Sequence, residues 1–151
     1  MAVFETSVTL SCPADRAFDF LIVPQNHLKL SPPEVGLVFV QAPAVFEQGS
    51  RFDFKVLSFG LVQHMQHEII AFERPWQFTE RQLKGPLKLW QHDHVFELQP
   101  DGQVTITDRI EFEPPGGLAG LLITENRIRD SLEDGFYHRH KELRKLLEIP
   151  A

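Results

Sequence analysis

Residues Trp90 to Leu98 read Trp-Gln-His-Asp-His-Val-Phe-Glu-Leu and hold two imidazoles two positions apart. Alternate side chains of a β-strand share a face. His92 and His94 therefore stand with Trp90 and Phe96, and Asp93 faces the other way. Paired imidazoles on an aromatic face suit a few kinds of chemistry. They can ligate a metal, act as an acid–base pair, form the polar part of a ligand pocket, or lock strand register through hydrogen bonds.

The flanking strands add to the set. Val104, Ile106, Asp108, Ile110 and Phe112 alternate onto one face, which makes Asp108 an acid on an otherwise apolar surface. A three-residue loop at Pro100-Asp101-Gly102, with Gly102 left-handed, pairs Gln99 with Gln103 and keeps both inward faces in phase. Asp108 then lies opposite His94. In the preceding strand Glu80 and Gln82 share the face of Phe78. One wall thus carries Glu80, Gln82, His92, His94 and Asp108 among aromatics. Each of these groups, if buried without a partner, costs about 1–3 kcal/mol.

Three readings of this wall follow. It can be an internal network, with His94 on Asp108 and Gln82 or Glu80 on His92. It can be a pocket in which a few polar groups orient an apolar ligand. It can be catalytic, with His94 as general acid or base oriented by Asp108, although no nucleophile stands out nearby. A metal is not expected. His-x-His offers two ligands and Asp108 or Glu80 a third, but Trp90 and Phe96 bracket the pair and favour stacking over hydration. His64 and His67 are three apart and face opposite ways, so only one of them can join the wall.

The elements that position these residues can be read along the chain. Val3–Ser11 alternates as a strand. Pro13 and Asp15 open a short helix carrying Phe18, Leu21 and Ile22, and a second helical turn from Pro24 stops at Ser31-Pro32-Pro33. Val35–Ala42 reads as a strand. From Gly49 to Glu113 strands follow one another, with turns near Ser58-Phe59-Gly60, Arg74-Pro75, Lys84-Gly85-Pro86 and Pro100-Asp101-Gly102. Pro114-Pro115-Gly116-Gly117 ends the sheet. Leu121, Ile128, Leu132, Phe136, Leu143 and Leu147 recur at helical spacing, which predicts one helix over about Leu118–Glu148. Gly135, in its middle, suggests close approach to the sheet or a slight bend. His138 and His140 lie beside Arg139, Lys141 and Arg144 and read as a solvated face. Strands in a run followed by a helix argue for an α+β domain spanning 1–151, with an antiparallel sheet of about six to seven strands curved around the last helix.

Bulk properties narrow the function. A net charge of −6 without Lys or Arg blocks argues against nucleic acid or an anionic membrane surface as partner. No apolar run approaches a membrane span. The single cysteine, Cys12, allows no internal disulfide and no CxxC motif. With no signal-peptide pattern at the start, a cytoplasmic location is expected. Thirteen Phe against one Tyr indicates a large aromatic interior.

Phe78, Glu80, Gln82, Gly85, Pro86, Trp90, His92, His94 and Phe96 resemble a pattern common in bacterial members of the START/Bet v 1-like superfamily (SRPBCC, polyketide cyclase/dehydrase-like). The order of elements is similar over essentially the whole chain. The resemblance implies the helix-grip fold, with two short helices after the first strand and a cavity between sheet and C-terminal helix. It implies binding of a small hydrophobic or aromatic, lipid- or polyketide-like molecule. The walls would be Phe78, Trp90 (or Trp76), Phe96, Ile106, Ile110, Leu132 and Phe136. The orienting groups would be Glu80, Gln82, His92, His94 and Asp108, with Asn26 and His27 near the entrance. A cyclase/dehydrase-type enzyme using His94 and Asp108, or an interaction module with a filled core, are the alternatives. No cofactor is expected, and neither ligand identity nor oligomeric state is legible at this level.

Overall fold

The computed structural model describes residues 1–148. The expected domain runs to Ala151, and residues 149–151 lie outside the described ones. Strand β1 (Ala2–Leu10) is followed by helices α1 (Ala14–Leu21) and α2 (Pro24–Leu30). Then come β2 (Val38–Gln41), β3 (Arg51–Ser58), β4 (Leu61–Glu73), β5 (Gln77–Lys84), β6 (Leu89–Leu98) and β7 (Val104–Glu113). The strands form one antiparallel seven-stranded sheet in the order β1-β7-β6-β5-β4-β3-β2. Successive hairpins build it, and β1 closes against β7. Among the described residues no helix is long and apolar enough to cross a membrane.

Local chemistry fixes the hairpins. The β3–β4 turn places Phe59 and Gly60 at φ 52° and 77°, the pair of positive values a tight two-residue hairpin needs. The loop after β6 closes as expected, with Gln99 N–H donating to Gln103 O at 2.8 Å and Gly102 at φ 86°. That loop sets the register of β6 on β7 and puts His94 opposite Asp108. The β4–β5 ladder slips twice, between Gln66 and His67 and between Ile69 and Ala71. Such bulges bend and twist a sheet, and they help it curve around α4 (Glu125–Leu147).

The last helix differs from the sequence expectation. It is not continuous from Leu118: a short helix α3 (Ala119–Leu122) precedes it, and Ile123 leaves the helical region at ψ 84°. Thr124 then caps α4, its side chain accepting from Arg127 N–H at 3.3 Å. Leu121, expected on the buried stripe, lies before this break and is exposed. The strand expected from Val35 also starts later. Pro33–Val35 form a 3-10 turn, and Gly36 is left-handed at φ 59°. Gly135 makes no close approach. A Cβ there would meet no atom within 4 Å.

Two apolar clusters hold sheet and helices together. In one, Phe18 of α1 packs edge-on against Phe78 and Phe96, with ring centroids 5.7 and 5.1 Å apart. The other gathers Ile110, Phe112, Ile123, Ile128 and Phe136 between β7 and α4. The layers match only partly, and a cavity remains between them.

Candidate functional site

The cavity has a volume of about 580 Å³ and lies between the sheet and α4. Phe39, Phe46, Phe52, Phe54, Phe59 and Phe136 supply most of its aromatic lining. Ser31, Pro32 and Val35 border it from the segment after α2. Its polar side is built by β4, β5 and β6, with Arg139 reaching in from α4.

On that side His67, Glu80, His92, His94 and Asp108 form one connected network. Glu80 Oε2 accepts from His67 Nδ1 at 2.8 Å, and Oε1 accepts from His94 Nε2 at 2.9 Å. Asp108 Oδ2 accepts from His92 Nε2 at 2.7 Å. Asp108 Oδ2 also lies 3.2 Å from His94 Nδ1, an ion-pair contact without hydrogen-bond alignment. The His92 and His94 rings stack at 3.8 Å, and Phe78 stacks on the other face of His94 at 4.1 Å. Arg139 Nη2 is 3.9 Å from Asp108 Oδ2, with its side chain 13% exposed.

Charge is distributed unevenly. Burial alone would raise both carboxyl groups. Hydrogen bonds from His67 and His94 outweigh it at Glu80, and the Arg139 guanidinium with His92 and His94 does so at Asp108, so both stay ionised well below the usual range. Burial and the neighbouring His94 push His92 down. Burial opposes protonation of His94 too, but Asp108 and Glu80 raise it. Two stacked imidazolium rings would repel, so protonation of one opposes protonation of the other. His27, whose Nε2 lies 2.7 Å from Leu21 O, is held down to about 3 by burial and by Arg139. Burial also lowers His140.

Of the residues expected to bind ligand, Glu80, Gln82, Trp90, His92, Ile110, Leu132 and Phe136 line the cavity. Phe78, Phe96, His94 and Asp108 lie behind this lining, packed in the sheet–helix core at no more than 2% exposure. The hydrogen bonds run differently from expectation: His94 bonds Glu80 and Asp108 bonds His92. Gln82 stands apart, donating to Leu87 O at 2.6 Å, and the Gly85 backbone approaches it so closely that a Cβ there would collide. His27 borders the cavity, whereas Asn26 donates to Phe20 O. Trp76 is exposed on the outside, so Trp90 is the tryptophan of the lining.

The sequence reading left one group open and missed another. His67 is the member of the His64/His67 pair that joins the wall, and His64 is exposed. Arg139 is not part of a solvated face. It follows Phe136 by three and precedes Leu143 by four, so it shares their inward stripe. Its Nε and Nη2, with Trp90 Nε1 and His67 Nε2, are buried without hydrogen-bond partners.

Comparison with known proteins places this arrangement. Protein CV1439 from Chromobacterium violaceum superposes with a TM-score of 0.74 at 15% identity, over 99% of this chain and 100% of its own. A START superfamily protein from Mycobacterium smegmatis gives 0.73 at 9% identity over 96% of each chain. The major latex-like protein 151 from Panax ginseng gives 0.70 at 12%, over 99% and 98%. No curated protein matches the chain. Residues 31–147 match the family described as Domain of unknown function (DUF8410). The chain belongs to that family, and its fold is the START/Bet v 1-like helix-grip.

Proposed function

We propose that this protein binds a small hydrophobic or aromatic molecule in the cavity between sheet and α4. The supporting observation is the lining itself. About 580 Å³ of space is walled mainly by apolar side chains, and unpartnered polar atoms of Trp90, His67 and Arg139 lie on one side. That volume lies in the usual range for ligand sites, where a few polar groups orient an otherwise apolar guest. The guest's carbon skeleton packs against Phe46, Phe52, Ile110, Leu132 and Phe136. Its oxygen atoms face Arg139, Trp90 Nε1 and the Glu80–His92 edge. Phe78, Phe96, His94 and Asp108 serve as the rigid backing of that wall. We place the protein in the cytoplasm, consistent with its one free thiol, Cys12.

Native mass spectrometry of the purified protein, followed by denaturing extraction, tests this. A stoichiometric organic molecule released on denaturation supports the reading. A protein that carries nothing and leaves a polarity-sensitive naphthalene dye unbound refutes it.

A second reading, acid–base catalysis of the cyclase/dehydrase kind, draws on the bond between His92 Nε2 and Asp108, because the His92 ring borders the cavity. The group meeting substrate is then His92, with Asp108 orienting it and His94 acting through Glu80. Turnover of the extracted compound by wild-type protein, lost in His92→Gln while the compound still binds, is the outcome this reading requires.

A further inference from the structure

His92, His94 and Glu80 are arranged as more than a hydrogen-bonded network. Their ligand atoms all lie within 4.8 Å of one another. Glu80 Oε1 is 2.9 Å from His94 Nε2 and 3.5 Å from His92 Nδ1. Two ligands each about 2.0–2.2 Å from a shared tetrahedral ion stand roughly 3.3–3.6 Å apart. The His92 separation falls in that range, and the hydrogen-bonded His94 contact is shorter.

Proton positions sharpen the point. Asp108 is a carboxylate and only accepts, so His92 Nε2 must carry the hydrogen in their 2.7 Å bond. His92 Nδ1, the ring nitrogen not engaged by Asp108, faces Glu80 Oε1 at 3.5 Å with no hydrogen bond between them. A cation placed between the two atoms would engage both.

The surroundings are those of an oriented ligand set. Metal-bound imidazoles usually donate their second nitrogen to a carboxylate or carbonyl. Here one carboxylate, Asp108, backs both rings, at 2.7 Å from His92 Nε2 and 3.2 Å from His94 Nδ1. The other oxygen of Glu80 is held by His67 Nδ1 at 2.8 Å. Glu80 and Asp108 bring two negative charges, and Arg139, 3.9 Å from Asp108, balances one. Ring stacking does not compete, because it uses ring faces while coordination uses the in-plane lone pairs. The aromatic neighbours leave those lone pairs free: Trp90 meets His92 edge-on at 6.3 Å, His92 and His94 stack on each other, and Phe78 stacks on His94.

We propose that Glu80 Oε1, His92 Nδ1 and His94 Nε2 bind one divalent transition-metal ion of the zinc–iron(II) class, its open coordination position facing the cavity through Glu80 and His92; the ion displaces the hydrogen that His94 Nε2 gives Glu80, leaving His94 with its N–H at Nδ1 toward Asp108. Two imidazoles and one carboxylate with a vacant position suit those ions. The site stands whether or not the cavity takes an organic guest.

The test uses the full chain, free of any histidine tag and dialysed against a chelator, titrated with Co2+ and followed by visible d–d absorption and calorimetry. One equivalent is expected to bind with a tetrahedral-type spectrum that Zn2+ abolishes. Glu80→Gln and His92→Gln are expected to weaken binding at least tenfold, and Asp108→Asn by about 10–100-fold. His64→Gln, at an exposed histidine, leaves it unchanged. A folded wild-type protein that takes up no Co2+, or a titration identical in Glu80→Gln and His92→Gln, overturns the proposal. Should the variants fail to fold, thermal melting of wild-type protein decides. A midpoint raised by stoichiometric Zn2+ supports the site, and an unmoved midpoint overturns it. Dye binding measured on the same sample reads the cavity separately from the ion.

Discussion

Replacing Gly135 with Leu separates stability from binding. Gly135 sits inside α4 and lines the cavity, and a Cβ added there meets nothing within 4 Å. Glycine within a helix is less stable than a good helix former by about 0.5–1 kcal/mol. Gly135→Ala is therefore expected to stabilise by that amount, raising the melting midpoint by roughly 1–4 °C for a chain of this size. Gly135→Leu keeps most of this gain and projects four carbons into the space the guest would use. Each CH₂ of guest displaced from apolar contact costs about 0.8 kcal/mol. Losing two such groups weakens binding by on the order of tenfold. The assay pairs urea unfolding with a titration of the naphthalene dye, wild type against both variants. Expected are two stabilised proteins, of which Gly135→Leu binds dye at least tenfold more weakly. A destabilised Gly135→Leu with unchanged dye affinity would refute the reasoning, since it would mean that position 135 is close-packed and the guest lies elsewhere.

The remaining predictions concern the parts that hold the site. Thr124→Ala removes the cap of α4 and is expected to cost about 1 kcal/mol, read by urea unfolding; a neutral result would mean that α3 and α4 behave as one helix in solution. His27 has a folded pKa of about 3 against an ordinary 6.5. The unfolded chain protonates first, so this stabilisation is complete above pH 6.5 and is lost as pH falls toward 3. His27→Gln is expected to shrink the stability difference between pH 7 and 5 by on the order of 1–2 kcal/mol, and parallel acid limbs for the two proteins would disprove the assignment. Arg139→Met removes the guanidinium beside Asp108. A loss of about 1–3 kcal/mol is expected, below that of a tightly paired buried ion because the contact is long, at 3.9 Å; unchanged stability in a denaturant melt would place Arg139 in solvent.

The succession of strands along the chain, their inward faces and the register of β6 on β7 were legible because each depends on a period or a loop length. The loop Pro100-Asp101-Gly102 alone determines that His94 stands opposite Asp108. Hydrogen bonding did not follow from that pairing, and the reason is geometric. The ladder places Glu80 opposite His92 and Asp108 opposite His94, yet the bonds run His94 to Glu80 and His92 to Asp108. Both are diagonal, within reach of long side chains that lean along their strands. Alternation gives the face of a side chain and not its tilt. It also cannot separate inward residues that meet helix from those that meet space. Phe78 and Phe96 face inward like Glu80 and His92, but Phe18 of α1 packs on the first two while the other two border the cavity.

Arg139 was misjudged for a different reason: its charge was read ahead of its position. The spacing 132, 136, 139, 143 puts it on the buried stripe of α4, where a guanidinium is tolerable only beside an acid. Asp108, already marked as an acid on an apolar face, needed just such a partner. Each of the two charges explains why the other is buried, a link that becomes visible when the helix stripe and the strand face are considered as the two walls of one cavity.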